Sequence, residues 1–197
     1  MGVEYEKKFA ATPQMLDSIE LLLFKRPKTR RMQTTFYDTP TGQLSARKIM
    51  LRQRMENDIC ICTVKIPLAD GSRGEWECRS KDLKRGIKKL CQLGAPKELL
   101  ELTAEGLQEI CGARFVRRLC NITLPEGVFE LALDHGVLLG GGKEMPLCEV
   151  EMELKEGKQS WLDACAAVIA FTFNLTEEPR SKFQRALALA RGEEDGL

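Results

Sequence analysis

The sequence predicts an α+β fold: eight or so antiparallel strands in a closed barrel or strongly curved sheet, with helices outside it. Three observations lead there. Short segments alternate apolar and polar residues and are rich in β-branched and aromatic side chains. Turn signals separate those segments as hairpins require. Helical patterns fall between or after the strands.

In chain order, alternation predicts a first strand over residues 3–10. Thr12-Pro13 then supplies a cap and a first-turn proline for a helix over 14–24. A strand over 31–37 stops at Asp38-Thr39-Pro40 with Gly42, and strands over 48–55 and 59–66 flank Glu56-Asn57-Asp58. After Asp70-Gly71 comes a strand over 73–78, followed by a helical insertion over 82–90 and 96–110. Strands over 113–124 and 128–138 flank Pro125-Glu126-Gly127. Gly140-Gly141-Gly142 then precedes a strand over 146–155, and helices over 159–173 and 179–191 close the chain. No internal repeat interrupts this order, and the whole of 1–197 reads as one domain.

Composition removes several classes of function. Of 197 residues, 43% are hydrophobic and 30% charged, which excludes a disordered chain. Thirty basic residues stand against 29 acidic ones, so the basic excess of a general nucleic-acid binder is missing, although a local basic groove is not excluded. Residues 1–10 are charged and show no secretory h-region, and the longest mostly apolar stretch, 164–173, is too short to span a bilayer. Eight scattered cysteines without a C-x-x-C pair predict reduced, mostly buried thiols, and with them a cytoplasmic location. His135 is the only histidine, so a multi-histidine metal site is impossible and a Ser-His-Asp triad a poor fit.

The informative feature is the placement of charges at period two. Residues i, i+2 and i+4 of a strand share a face. Glu4, Glu6 and Lys8 therefore align, as do Arg52 with Arg54, Arg73 with Glu75 and Glu77, Glu130 with Asp134, and Glu149 with Glu151 and Glu153. Alternation of this kind is also what any half-solvated antiparallel sheet shows. The charge density is the distinguishing point. Three glutamates on one face repel one another unless cations neutralise them, which makes a metal a reasonable inference. Turned into a barrel, such a face would suit hard cations at its carboxylates and phosphate oxygens at its arginines and lysines.

These residues resemble the CYTH domain, the triphosphate tunnel metalloenzymes. Glu4-Tyr5-Glu6-Lys7-Lys8 matches its E-x-E-x-K signature, and Phe36-Tyr37-Asp38-Thr39-Pro40 with Leu44 is similar to its D-T-P segment. Leu51-Arg52-Gln53-Arg54, Thr63-Val64-Lys65 and Arg73-Gly74-Glu75-Trp76-Glu77 follow in the family's order. So do Phe115-Val116-Arg117, Glu149 to Leu154 as E-x-E-x-E-L, and Ser181-Lys182-x-x-Arg185-Ala186-Leu187. The bacterial inorganic triphosphatases are the nearest branch in wording.

The resemblance implies an eight-stranded antiparallel tunnel with flanking helices, binding a small-molecule triphosphate and Mg²⁺ or Mn²⁺, with neither nucleic acid nor membrane as partner. It implies metal ligation by Glu4, Glu6, Glu149, Glu151 and Glu153. Phosphate would be held by Lys8, Arg52, Arg54, Lys65, Arg117 and Lys182, with Lys8, Lys65 and Glu75 carrying the catalytic role. Arg73, Glu77, Glu130 and Asp134 are second-rank candidates. Hydrolysis of tripolyphosphate is the leading expectation. Thiamine triphosphatase, class IV-type adenylyl cyclase and a non-enzymatic polyphosphate or nucleotide sensor are the alternatives. The sequence leaves the oligomeric state open.

Overall fold

The computed structural model describes residues 5–23, 26–68 and 73–193, with only the backbone of Arg73. Its elements are β1 (Glu6–Ala10), α1 (Pro13–Leu21), β2 (Lys28–Asp38), α2 (Gln43–Ala46), β3 (Met50–Glu56), β4 (Ile59–Pro67), β5 (Arg73–Arg79), α3 (Leu83–Gln92), α4 (Glu98–Leu102), β6 (Gln108–Leu124), β7 (Gly127–Gly140), β8 (Lys143–Glu156), α5 (Gln159–Phe173), β9 (Thr176–Glu177) and α6 (Lys182–Arg191). All strands join one antiparallel sheet in the order β5-β4-β3-β2-β6-β7-β8-β1-β9.

The eight expected strands are present, but the sheet does not close. Among the described residues β5 forms one edge, and the two-residue β9 covers β1 at the other by pairing with Phe9 and Ala10. The physical reason lies in what the sheet encloses. An eight-stranded barrel has an interior just filled by side chains. Here α6 lies on the concave face, and a helix with its side chains is about 10 Å across. The expectation that every helix lies outside is wrong for α6. Ala186 is buried with Met32, Phe36, Ala113, Phe115, Leu138 and Leu147 of the inner face, and the Phe183 ring stands 4.8 Å from that of Phe36. Gly140 permits this approach. A Cβ there would lie 2.5 Å from the Ala186 carbonyl oxygen and 2.6 Å from the Ala190 nitrogen.

Two further cores lie on the convex face. Phe9, Leu131, Leu133, Val150 and Met152 pack under α1 and α5, while Leu51, Cys62 and Val64 pack under α3 with Leu99 of α4. The helix expected over 96–110 ends at Leu102. Gly106 adopts φ +111°, and the chain from Gln108 pairs instead with Asp38. The unexpected α2 is organised by Asp38, whose carboxylate accepts bonds from the Thr39, Leu44 and Ser45 amides at 2.7, 2.8 and 3.1 Å. The D-T-P segment therefore has a visible structural task. All eight cysteines are unpaired, and burial pushes the Cys62 and Cys111 thiols up to about 12.

Candidate functional site

The concave face that α6 leaves uncovered encloses a cavity of about 740 Å³. Strand alternation delivers charged residues to it from both halves of the sheet. Glu6, Lys8, Arg52, Arg54, Lys65, Glu75, Glu77, Arg117, Glu151 and Glu153 line it from strands, and Lys182 from the first turn of α6. Glu149 and Asp134 lie behind this wall with no exposed side-chain surface. Glu130 sits farther along β7, the cross-strand partner of Glu153. Glu4 and the Arg73 side chain lie outside the described residues.

The two halves are wired differently. On β3–β5, Lys65 Nζ lies 2.9 Å from Glu75, while Arg52 reaches Glu75 and Glu77 only at 3.8 and 3.6 Å. Arg54 lies 2.9 Å from Glu56 and 3.6 Å from Glu77. The Arg52 Nε is buried without a hydrogen-bond partner. Burial first, and then the neighbouring Arg54, lower the Arg52 guanidinium from its ordinary value.

On β6–β8 the pairing is tight. Lys182 Nζ lies 2.7 Å from Glu151, 2.9 Å from Asp134 and 3.1 Å from Glu149. Arg117 donates two bonds to Asp134, at 2.8 and 2.7 Å, and a third to Glu151. Burial alone would raise Glu151, but Lys182 and Arg117 outweigh it and hold the carboxyl well below the usual range. The same carboxylates hold Lys182 and Arg117 above their ordinary values against the effect of burial. Glu149 responds the other way. Its burial dominates and pushes it up despite Lys182 and Arg185.

Three carboxylates on one strand were expected to call for a metal. Side chains of this chain do much of that neutralisation, and among the described residues no group of three His, Cys, Asp or Glu side chains is gathered to hold an ion. Glu6 and Glu153, cross-strand partners on β1 and β8 next to the Lys8–Glu151 pair, are more lightly paired, Glu6 with Lys8 at 3.8 Å and Glu153 with Lys155 at 2.7 Å through one oxygen. Like charges placed opposite each other favour a cation between them, so the donor chemistry fits a divalent ion better than the whole five-glutamate set does.

Sequence reasoning matched Arg185 to the family's C-terminal segment without giving it a role, and passed over Glu178. Arg185, one helical turn from Lys182, is 8% exposed and lies 3.5 Å from Glu149 and 3.6 Å from Glu178. Glu178 in turn accepts two bonds from the Arg180 guanidinium, and Lys8 Nζ donates to the Arg180 carbonyl at 3.1 Å. The i, i+3 spacing of Lys182 and Arg185 was the available signal. Arg118, next to Arg117, faces away from the cavity, toward Asp17 and Glu20 of α1. Among the described residues no helix is long and apolar enough to cross a membrane.

A family model described as the CYTH domain matches residues 2–187. An inorganic triphosphatase of Haemophilus influenzae is 26% identical over 192 residues, covering 94% of this chain. The chain spans only about half, 54%, of that relative's length. Among solved structures, a Hippeastrum protein named an adenylyl cyclase and described by a dominant triphosphatase activity superposes with TM-score 0.63 at 20% identity, covering 98% of this chain and 97% of its own. A Bacillus halodurans protein named an adenylate cyclase superposes with TM-score 0.62 at 21% identity, covering 93% and 96%. With the charged concave sheet, its L-R-x-R strand and the α6 lysine all in place, the family match over nearly the whole chain settles the assignment: this protein belongs to the CYTH domain family.

Proposed function

We propose that the chain hydrolyses inorganic tripolyphosphate, or a related triphosphate, bound along the charged cavity. The observation that carries this reading is the β3 pair. Arg52 lines the cavity with ion pairs no shorter than 3.6 Å and a buried Nε without a hydrogen-bond partner, and Arg54 beside it reaches Glu77 only at 3.6 Å while its Nε pairs with Glu56 at 2.9 Å. Buried guanidinium donors lacking close acceptors are what a phosphate oxygen satisfies. Lys8, Lys65, Arg117 and Lys182 complete a ring of cations from the other strands and α6. The relative named an inorganic triphosphatase supports hydrolysis as the reaction.

In this reading Arg52, Arg54 and Arg117 fix the non-bridging oxygens, and Lys8 and Lys65 stabilise charge that grows on the phosphoryl group and leaving oxygen. Glu75, 2.9 Å from Lys65, sets the position of that ammonium. Glu6 and Glu153, with Glu151 and Glu4, would hold a Mg²⁺ or Mn²⁺ ion, and Glu149 supports Glu151 from behind through Lys182. When bound, the ion lowers the pKa of its water and screens phosphate charge.

The test is phosphate release from tripolyphosphate, ATP, thiamine triphosphate and pyrophosphate, with Mg²⁺, Mn²⁺ or Ca²⁺. Tripolyphosphate can use every cation of the cavity, so its kcat/KM should exceed that of ATP and pyrophosphate by at least about ten-fold, roughly 1.4 kcal/mol. Activity should vanish with chelator. A preference for thiamine triphosphate would overturn the substrate assignment. Cyclic AMP from ATP would establish the lyase reading that the cyclase-named neighbours keep open. Binding without turnover would establish the sensor.

A further inference from the structure

Helix α5 is largely apolar on every side between Trp161 and Phe171, yet among the described residues only one side is covered. Leu162 and Ala166 are buried against β7 and β8. Its one charged residue, Asp163, is turned to β1, where it accepts from the Tyr5 hydroxyl at 2.6 Å and pairs with Lys7 at 3.2 Å. The opposite face presents Ala164, Ala167, Val168 and Phe171 to solvent, with Val168 66% and Phe171 91% exposed. These positions follow i, i+3, i+4, i+7, the spacing of a helix–helix seam. A helix apolar all round is normally buried all round.

We propose that this face is the contact surface for a second copy of the chain, packed α5 against α5 in antiparallel. Two features select that occupant. The stripe runs small, small, large, large along the helix. A twofold axis between Ala167 and Val168 therefore sets Ala164 against the second copy's Phe171 and Ala167 against its Val168, large side chains over small ones on both sides of the axis. The rim charges agree. Lys158 is exposed just before α5 and Glu177 is exposed just after it, so an antiparallel mate brings opposite signs together and a parallel mate brings like signs together. Helix α5 has 15 residues and so is about 22 Å long. That seam is smaller than the ~800 Å² per partner of a standard interface, so the dimer is weak and concentration-dependent.

Sedimentation of the full chain from about 1 to about 200 µM, spanning micromolar dissociation constants, tests this. The wild type should pass from monomer to dimer. Phe171→Glu and, independently, Val168→Lys should each weaken association about ten-fold or more, while Phe171→Leu stays close to wild type. Both side chains are exposed, so circular dichroism should be unchanged. Lys158→Glu should weaken the dimer, and Glu177→Lys in the same chain should restore it. A wild-type chain monomeric throughout would overturn the proposal and leave the face to a different protein. A dimer indifferent to both charged substitutions, or ill-defined larger aggregates, would overturn it equally.

Discussion

The two halves of the cavity hold charges of the same kinds under opposite conditions. On β6–β8, Asp134 and Glu149 have no exposed side-chain surface and every contact to Lys182 lies within 3.1 Å. On β3–β5, Arg52 and Arg54 are about as exposed as Arg117, but three of their four carboxylate contacts among the described residues lie at 3.6–3.8 Å. The first half is a network of short ion pairs centred on Lys182 and Arg117 that anchors α6, with Glu149 and Arg185 behind it buried and lacking hydrogen-bond partners. The second half is under-paired and open to the cavity. The difference is one of pairing distance: the Lys182 and Arg117 contacts hold α6 against the sheet, whereas the looser Arg52 pairs leave donor capacity that a ligand oxygen can take up.

The largest effect should come from breaking the tightly paired half. Asp134→Ala leaves Arg117 buried without its two-bond partner and takes one of three carboxylates from Lys182, and urea unfolding should show a loss of about 3–5 kcal/mol. Arg54→Ala, in the open half, should cost less than half of that. Equal losses would erase the distinction.

Gly140→Ala sharpens the role of α6. The added methyl meets helix backbone at 2.5 Å, and overpacking of this kind costs about 1–3 kcal/mol. It should also displace Lys182 from the cavity wall, so tripolyphosphate affinity should fall along with stability. Unchanged stability would mean that α6 is not held against β7 as described.

A finer contrast lies inside the tightly paired half itself. Glu151 is held below the ordinary carboxylate value, so it contributes stability above about pH 4.3 and loses it as pH falls toward its folded-state value. Glu149 is raised, so its contribution is present at low pH and lost as pH rises through the raised value. Glu151→Gln should therefore destabilise the protein at pH 7 and flatten the acid limb of the unfolding curve. Glu149→Gln should change neutral stability by no more than about 1 kcal/mol, or raise it. Thermal midpoints between pH 3 and 8 would decide this, and matching profiles for the two variants would contradict it.

The facing of the strands was legible in the sequence because alternation at period two leaves no choice. Glu6 with Lys8, Arg52 with Arg54, and Glu151 with Glu153 all reach the cavity as their spacing requires. The position of α6 was not. Its pattern marks a helix but not which side of a sheet it covers, and the decisive features, Gly140 and the Phe36–Phe183 contact, join residues far apart in the chain. The ion pairs were hidden for the same reason. Lys182 meets Asp134, Glu149 and Glu151 only once two strands and a helix converge, and Arg117 reaches Glu151 from a third strand, so a glutamate triplet that suggested a metal is in large part answered by a lysine and an arginine. Helix α2 was hidden differently, because four residues carry no periodicity and its organiser, Asp38, lies five residues upstream of its start.

The central claim is that the under-paired β3 half takes the triphosphate. It is tested most directly by the thermal midpoint with and without tripolyphosphate, for wild type, Arg52→Ala, Arg54→Ala and Lys65→Ala. Saturating ligand, at about 100 times its dissociation constant, should stabilise the wild type by about 2.7 kcal/mol. Each variant should fold, with an unliganded midpoint close to wild type, and lose most of that rise. Equal ligand-induced shifts in all four proteins would contradict the account and place the phosphate site elsewhere.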